Sequence, residues 1–200
     1  MQSSRPHRRI GFVVFPGFQS LDLTGPFEVF AAANEVLDAW GRPPPRYRSD
    51  VVAATVGAVT ASSGLGIEAP RTLARLDGDA DPLDTLLVVG GDGVYAATDD
   101  ADLVEQLACT ARGARRVGSI CTGAFLLAAA GILDGRRATT HWARAARLAL
   151  AFPAVRVDAE AIHVRDGPVW TSAGVTAGID LALALVEDDV GADVAQHVAR

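Results

Sequence analysis

The stretch Ser119-Ile120-Cys121-Thr122-Gly123 decides the fold class, because it joins a short apolar run to a helical pattern of small residues. Residues 116–120 predict a buried strand, and residues 124–130 predict a tightly packed helix that stops at Gly131. A sharp turn from a strand into a helix lifts the turn residue to the sheet edge, as in a nucleophile elbow with Cys in place of Ser. We therefore expect Cys121 at a sheet edge, where the start of the helix favours a thiolate. The alternative is a small buried hydrophobic residue.

Buried strands and helices alternate along most of the chain. The predicted strands lie at residues 10–15, 50–56, 85–89, 116–120 and 169–172, and residues 59–69 fit a hairpin or a strand extension. The predicted helices lie at residues 27–37, 99–112, 124–130, 142–152 and 176–186. This alternation predicts an α/β fold, a doubly wound and mostly parallel sheet sandwiched by helices. We expect residues 1–9 to form a flexible N-terminal arm and residues 10–200 to form a single domain.

Composition limits the classes of function. The 200 residues are 50% hydrophobic and 21% charged, which fits a globular domain, and the formal net charge of −6 shows no excess of basic residues for nucleic acid. We expect no membrane segment or signal peptide, since the first apolar run ends at Pro16-Gly17. Cys109 and Cys121 stand in dissimilar contexts, which favours a reducing cytoplasm over a disulfide. No Cys/His spacing resembles a zinc site, and we expect neither metal nor cofactor.

A candidate site follows from the fold, because ligands bind such sheets at the carboxyl ends of the strands. Asp22 follows the first strand, Gly91 follows the strand at 85–89, and Cys121 follows the next. The backbone N–H groups of Gly91 and Thr122 are candidate donors to a developing negative charge. Asp22 is a candidate acid or base, and its alternative is a helix N-cap or a first-turn acid.

Four other residues are of types that often act at functional sites, but their sequence context indicates structural roles. We expect His141 to start a helix and pack beside Trp142 rather than to pair with Cys121. His163 and Glu28 are expected to face solvent, and Cys109 is expected in the core. The sequence Gly90-Gly91-Asp92-Gly93 lacks the Lys and Ser/Thr of a phosphate-binding P-loop, which favours an oxyanion-type turn.

Five segments together resemble the ThiJ/PfpI superfamily, which has the class I glutamine amidotransferase-like fold. These segments are residues 14–18, 21–26, 119–123, 138–142 and 172–180. The resemblance covers nearly the whole chain and implies a flavodoxin-like sheet and a homodimer.

Two branches of this superfamily share the motifs, and the chain is more similar to the sensor domains of AraC-type transcriptional regulators. The segments that carry this similarity are residues 120–128, 133–137, 152–158 and 194–200. The similarity implies that a small molecule binds near Cys121, Asp22, Gly91 and Thr122. It also implies that DNA is bound only through a C-terminal domain absent from this chain.

The other branch is isonitrile hydratase, and similarity to it implies an enzyme. Cys121 would attack the isonitrile carbon to give a thioimidate, Asp22 would handle protons and direct water, and Thr122 would position groups. The product would be an N-substituted formamide. Thr122 stands where the peptidase-like branch has His, which argues against proteolysis. A third hypothesis is a redox sensor that works through oxidation of Cys121.

Overall fold

The computed structural model describes residues 7–76 and 82–200. The strands are β1 (His7–Val13), β2 (Arg46–Ala53), β3 (Gly57–Thr60), β4 (Gly66–Ala69), β5 (Arg71–Thr72), β6 (Leu83–Val88), β7 (Arg116–Ser119), β8 (Arg137–Ala138), β9 (Arg156–Val157), β10 (His163–Asp166) and β11 (Val169–Ser172). The helices are α1 (Ser20–Ala39), α2 (Val94–Asp99), α3 (Ala101–Gly113), α4 (Ala124–Ala129), α5 (Ala145–Ala151), α6 (Ala177–Val190) and α7 (Ala192–Val198). Single 3-10 turns occupy Leu73–Arg75, Cys121–Gly123 and Trp142–Arg144.

Seven strands form the central sheet in the order β10-β11-β7-β6-β1-β2-β5. Every neighbouring pair is parallel except β10 and β11. Helices α1, α6 and α7 pack together, as do α2, α3 and α4, and these two groups flank the sheet. The predicted α/β fold with a mostly parallel sheet is therefore confirmed. Within the described ranges, no helix combines the length and the apolar character needed to cross a membrane.

Strand β1 begins three residues before the predicted strand. His7, Arg8 and Arg9 pair with β2, and the Arg9 side chain is buried with its Nε donating to Asp50 Oδ2 at 2.7 Å. The predicted arm is thus wrong for residues 7–9, because a buried ion pair offsets the burial of the arginine. The first six residues of the predicted arm lie outside the described part of the chain.

The helices differ from their predicted bounds most clearly at α1 and before α3. Helix α1 begins at Ser20, before the predicted start at residue 27, and therefore carries Pro26 inside it. The additional residues at its start bury the Leu23 side chain. The predicted helix at 99–112 is confirmed as α3, and the unpredicted short helix α2 precedes it and ends at Asp99, one residue before Asp100. The Asp100 carboxylate accepts a hydrogen bond from the Leu103 N–H at 3.1 Å and so caps α3. The predicted hairpin at 59–69 is confirmed as β3 and β4.

Charged side chains meet at the amino ends of the parallel strands, opposite the edge that carries Cys121. The Asp189 carboxylate, 1% exposed, accepts hydrogen bonds from Arg115 Nη2 at 2.8 Å and from Arg116 Nη2 at 2.5 Å. Arg8 Nη1 lies 3.0 Å from Asp189 Oδ1, and the Tyr47 hydroxyl donates to Oδ2 at 3.2 Å. This Asp189 cluster links α6 to the starts of three sheet strands, β1, β2 and β7.

Candidate functional site

Cys121 sits at the turn between β7 and α4 in a backbone conformation that is unusual for its residue type. Its φ is 56°, and Val175, in the turn after β11, has a φ of 54°. In the described part of the chain these are the two non-glycine residues with positive φ. The Cys121 N–H donates to the Ala173 carbonyl at 3.1 Å, and the Thr140 hydroxyl donates to the Cys121 carbonyl at 2.8 Å. These bonds hold two strained residues side by side, a feature that is enriched at functional sites.

Gly90 allows the loops after β6 and β7 to meet the start of α1. A Cβ atom at Gly90 would lie 2.7 Å from the Cys121 Cβ and 2.8 Å from Asp22 Oδ2. Because any side chain there would separate the two residues, only glycine permits their approach. The sequence prediction that these three loops converge is therefore correct.

Asp22 is fully buried in the first turn of α1, behind Cys121. The Gly90 N–H donates to its Oδ2 at 3.0 Å. Among the described residues, no N–H or O–H group donates to Oδ1. Burial raises the pKa of Asp22 to about 7, against smaller lowering effects of the Gly90 N–H and the Cys121 thiol. Gln19, not Asp22, is the N-cap of α1. The N-cap alternative for Asp22 is therefore wrong, whereas its position as a first-turn acid is confirmed.

The Cys121 thiol is protonated at neutral pH. Burial and then the charge of Asp22 raise its pKa to about 11, although the N–H groups of Thr122 and Val175 act in the opposite direction. The raised pKa argues against the predicted thiolate, because desolvation beside an acid outweighs the donors at the start of the short helix α4. A protonated thiol also oxidises slowly, which weakens the redox-sensor hypothesis.

Thr122 locks the loop after β6 to the turn after β7. Its Oγ1 accepts from the Gly91 N–H at 2.8 Å and donates to the Gly91 carbonyl at 3.0 Å. The Gly91 N–H is therefore engaged and is not the oxyanion donor that the sequence suggested. The N–H groups that reach the Cys121 sulfur are those of Thr122 and Val175.

A cavity of about 170 Å³ opens in front of Cys121. Its lining consists of Gln19, Gly91, Asp92, Cys121, Thr122, His141, Arg144 and Val175. Asp22 is not among the residues that line this cavity, contrary to the expectation that it faces the pocket. Arg144 Nη2 lies 3.9 Å from Asp92 Oδ1 at the cavity, and both side chains are substantially exposed. The cavity is therefore small, polar and charged.

His141 has a structural role and also lines the cavity. Its Nδ1 accepts a hydrogen bond from the Ala143 N–H at 3.2 Å, and its ring stacks on Trp142 with centroids 5.6 Å apart. This bond assigns the proton of the neutral ring to Nε2. The ring also fills the space in front of Gly174, where a Cβ atom would overlap it. The predicted packing is confirmed, but its position in the cavity wall was missed.

The other singled-out residues lie away from this cavity. His163 and Glu28 are exposed, as predicted. Cys109 is exposed rather than in the core, with its sulfur 2.9 Å from Arg112 Nη2, because α3 turns that position outward. Among residues 7–76 and 82–200, no three His, Cys, Asp or Glu side chains are arranged to hold a metal ion.

Arg144 and Val175 were missed as parts of the site. The sequence pattern predicts only a helix over residues 142–152, whereas the 3-10 turn Trp142–Arg144 carries Arg144 to the cavity. A signal for Val175 did exist. Residues 172–176 repeat, after the neighbouring strand, the strand-to-helix turn seen at Cys121.

These features define a class of protein, an α/β domain with a buried cysteine and acid at a strand-to-helix turn. The sequence model of the DJ-1/PfpI family matches residues 8–188, and the chain belongs to this family. It is 33% identical to a ThiJ/PfpI family protein of Pseudomonas syringae, whose crystal structure it matches with a TM-score of 0.82 over 96% of this chain and 73% of that one.

Two curated relatives represent the two branches that the sequence indicated. Isonitrile hydratase of Pseudomonas putida is 40% identical over 190 residues, which are 95% of this chain and 75% of the enzyme. The HTH-type transcriptional regulator CdhR of Pseudomonas aeruginosa is 36% identical over 192 residues, which are 94% of this chain and 53% of the regulator. The chain thus spans about half the length of this regulator.

Proposed function

We propose that this domain senses a small polar molecule and serves as the sensing part of an AraC-type regulator of transcription. One observation carries the proposal: Cys121 lines a small charged cavity as a protonated thiol that can donate a hydrogen bond to a ligand. Asp92 and Arg144 offer both signs of charge at the same cavity. A volume of about 170 Å³ is below that of sites for drug-sized ligands, so the ligand has few non-hydrogen atoms.

The rest of the proposal follows from the regulator branch. The match to the HTH-type regulator spans about half of that protein, so we infer that a separate helix-turn-helix domain contacts DNA. We also propose that the domain forms a homodimer, which size-exclusion chromatography with light scattering tests directly. Two free cysteines fit a cytoplasmic location.

A cavity-filling variant tests the sensing role. We expect a panel of small polar metabolites to contain at least one that raises the melting temperature of the wild-type protein, because a ligand stabilises the state that it binds. Cys121→Leu fills the cavity and abolishes this shift in differential scanning fluorimetry. Cys109→Leu, at an exposed position of α3, leaves the shift unchanged. The sensing role is contradicted if no compound stabilises the wild type or if Cys121→Leu responds equally.

Isonitrile hydration is the second candidate, favoured by the contact between the Asp22 carboxyl group and the Cys121 thiol. A pKa of about 7 leaves a large fraction of Asp22 ionised at neutral pH, so it can accept the thiol proton. The sulfur then bonds to the isonitrile carbon, and the same proton moves to that carbon to give the thioimidate R–N=CH–S–Cys. Water adds to this carbon, the C–S bond breaks, and the thiol returns as R–NH–CHO leaves.

Product formation from a simple isonitrile tests this candidate. We expect the wild-type protein to convert cyclohexyl isonitrile into N-cyclohexylformamide, measured by gas chromatography. Cys121→Ala should lower the rate by at least about 100-fold, since it removes the nucleophile. Cys109→Ala serves as the control and keeps the wild-type rate. A wild-type rate no higher than that of Cys121→Ala would rule out hydration while leaving the sensing role standing.

A further inference from the structure

A second cavity, of about 310 Å³, lies at the carboxyl ends of β1 and β2. Its walls include Phe15 after β1, Val59 on β3 and Leu103 on α3, all of them buried. Ala53 and Ala97 also line it, and their short side chains leave the space open. The cavity opens to solvent, and its volume reaches the range of small-molecule sites.

The lining of this apolar cavity indicates the chemistry of its ligand. Among the described residues that line it, Asp100 alone is charged, and its carboxylate already accepts from the Leu103 N–H at 3.1 Å. Asp100 and Thr55 are both exposed, which places them at the mouth rather than in the interior. An interior without an unpaired charge suits an uncharged, mainly apolar molecule, because a buried ion would lose its hydration without compensation.

Two backbone segments, residues 16–19 and 91–93, separate the apolar cavity from the Cys121 cavity. Pro16 and Gly93 line the first, whereas Gln19 and Gly91 line the second. The Gly93 N–H donates to the Gly17 carbonyl at 3.2 Å, and a Cβ atom at Gly93 would overlap the Pro16 carbonyl oxygen. A Cβ atom at Gly91 would lie 2.5 Å from the Gly17 carbonyl oxygen. The two segments are therefore in close contact with no space between them, so a displacement of one segment moves the other.

We propose that the apolar cavity is a second ligand site for an uncharged, mainly apolar small molecule, and that its occupation narrows the Cys121 cavity through residues 16–19 and 91–93. A ligand seated against Pro16 and Gly93 pushes this wall toward Gln19 and Gly91. This coupling between the two cavities concerns access to the Cys121 sulfur. It therefore does not depend on whether the domain senses a ligand or hydrates an isonitrile at Cys121.

Binding and cysteine reactivity together test the proposal. The protein carries Cys109→Ser, so that Cys121 is the one thiol, and the neutral fluorophore N-phenyl-1-naphthylamine is the probe. We expect saturable binding with a rise in fluorescence. At saturation, alkylation of Cys121 by iodoacetamide, followed by mass spectrometry, should slow at least about fivefold, the lower end of typical couplings between sites.

Two variants block the cavity with a large side chain on different elements, Ala96→Trp on α2 and Ala58→Trp on β3. Both positions are exposed, so the variants should fold, as checked by their melting temperatures. Each should weaken probe binding at least about tenfold and abolish its effect on alkylation. Ala101→Trp, exposed at the start of α3 and outside the cavity lining, keeps both properties. Absence of probe binding, equal binding by the blocked variants, or an unchanged alkylation rate at saturation overturns the proposal.

Discussion

Asp22→Asn is expected to make the folded protein more stable than the wild type at pH 8.5, by on the order of a few kcal/mol. The folded-state pKa of Asp22 is about 7, raised by burial from an ordinary value of 3.8. The folded protein therefore holds this proton more tightly than the unfolded chain does. The stability that results is fully present below pH 4 and is lost as the pH rises through 7. Asparagine cannot ionise, and its side-chain oxygen can still accept from the Gly90 N–H.

Urea unfolding at pH 5 and pH 8.5 measures this effect. The advantage of Asp22→Asn over the wild type should grow between the two pH values. Glu28→Gln removes an exposed carboxylate from the same helix, so its stability should follow the wild type at both. Parallel pH profiles of Asp22→Asn and the wild type would show that Asp22 is not a costly buried acid. A gain in stability on losing an acid is typical of residues that are retained for function.

Asp189→Asn is expected to destabilise the protein by about 3–5 kcal/mol, the usual cost of breaking a buried ion pair from one side. The Asp189 carboxylate balances Arg8, Arg115 and Arg116, and the Arg116 side chain is only 3% exposed. A neutral amide leaves this buried guanidinium without a full counter-charge. The loss should appear as a lower midpoint of urea unfolding with an unchanged dependence on urea concentration.

The neighbouring acid provides the matched control. Asp188 is 27% exposed and pairs at 2.8 Å with Arg165, whose side chain is itself 54% exposed, while its Oδ2 lies 3.7 Å from Arg116 Nη1, beyond hydrogen-bond distance. Because exposed ion pairs contribute little, Asp188→Asn should cost less than about 1 kcal/mol. Equal losses for the two variants would contradict the role given to the Asp189 cluster. The cluster lies at the sheet edge opposite Cys121, so neither substitution is expected to alter the Cys121 cavity.

The two cysteines show how far sequence patterns reach. The pattern around Cys121 predicted a strand, a turn and a helix, and all three are present, because local apolar periodicity and small residues constrain the backbone directly. At Cys109 the same periodicity indicated the core, yet the side chain is exposed. A shift of one position along a helix rotates a residue by about 100°, so sequence spacing alone fixes the buried face poorly.

The sequence by itself determined the order of strands and helices, the edge of the sheet at which Asp22, Gly91 and Cys121 meet, and the family resemblance. These properties rest on local preferences and on the geometry of parallel sheets, which the order of residues encodes. Only the tertiary structure decided which acidic groups of the site are protonated and which residues line the cavity. Burial raises the pKa of both Asp22 and Cys121, and Thr122 occupies the Gly91 N–H. Desolvation and the competition for hydrogen-bond donors depend on which distant groups surround an atom, and no spacing along the chain specifies that.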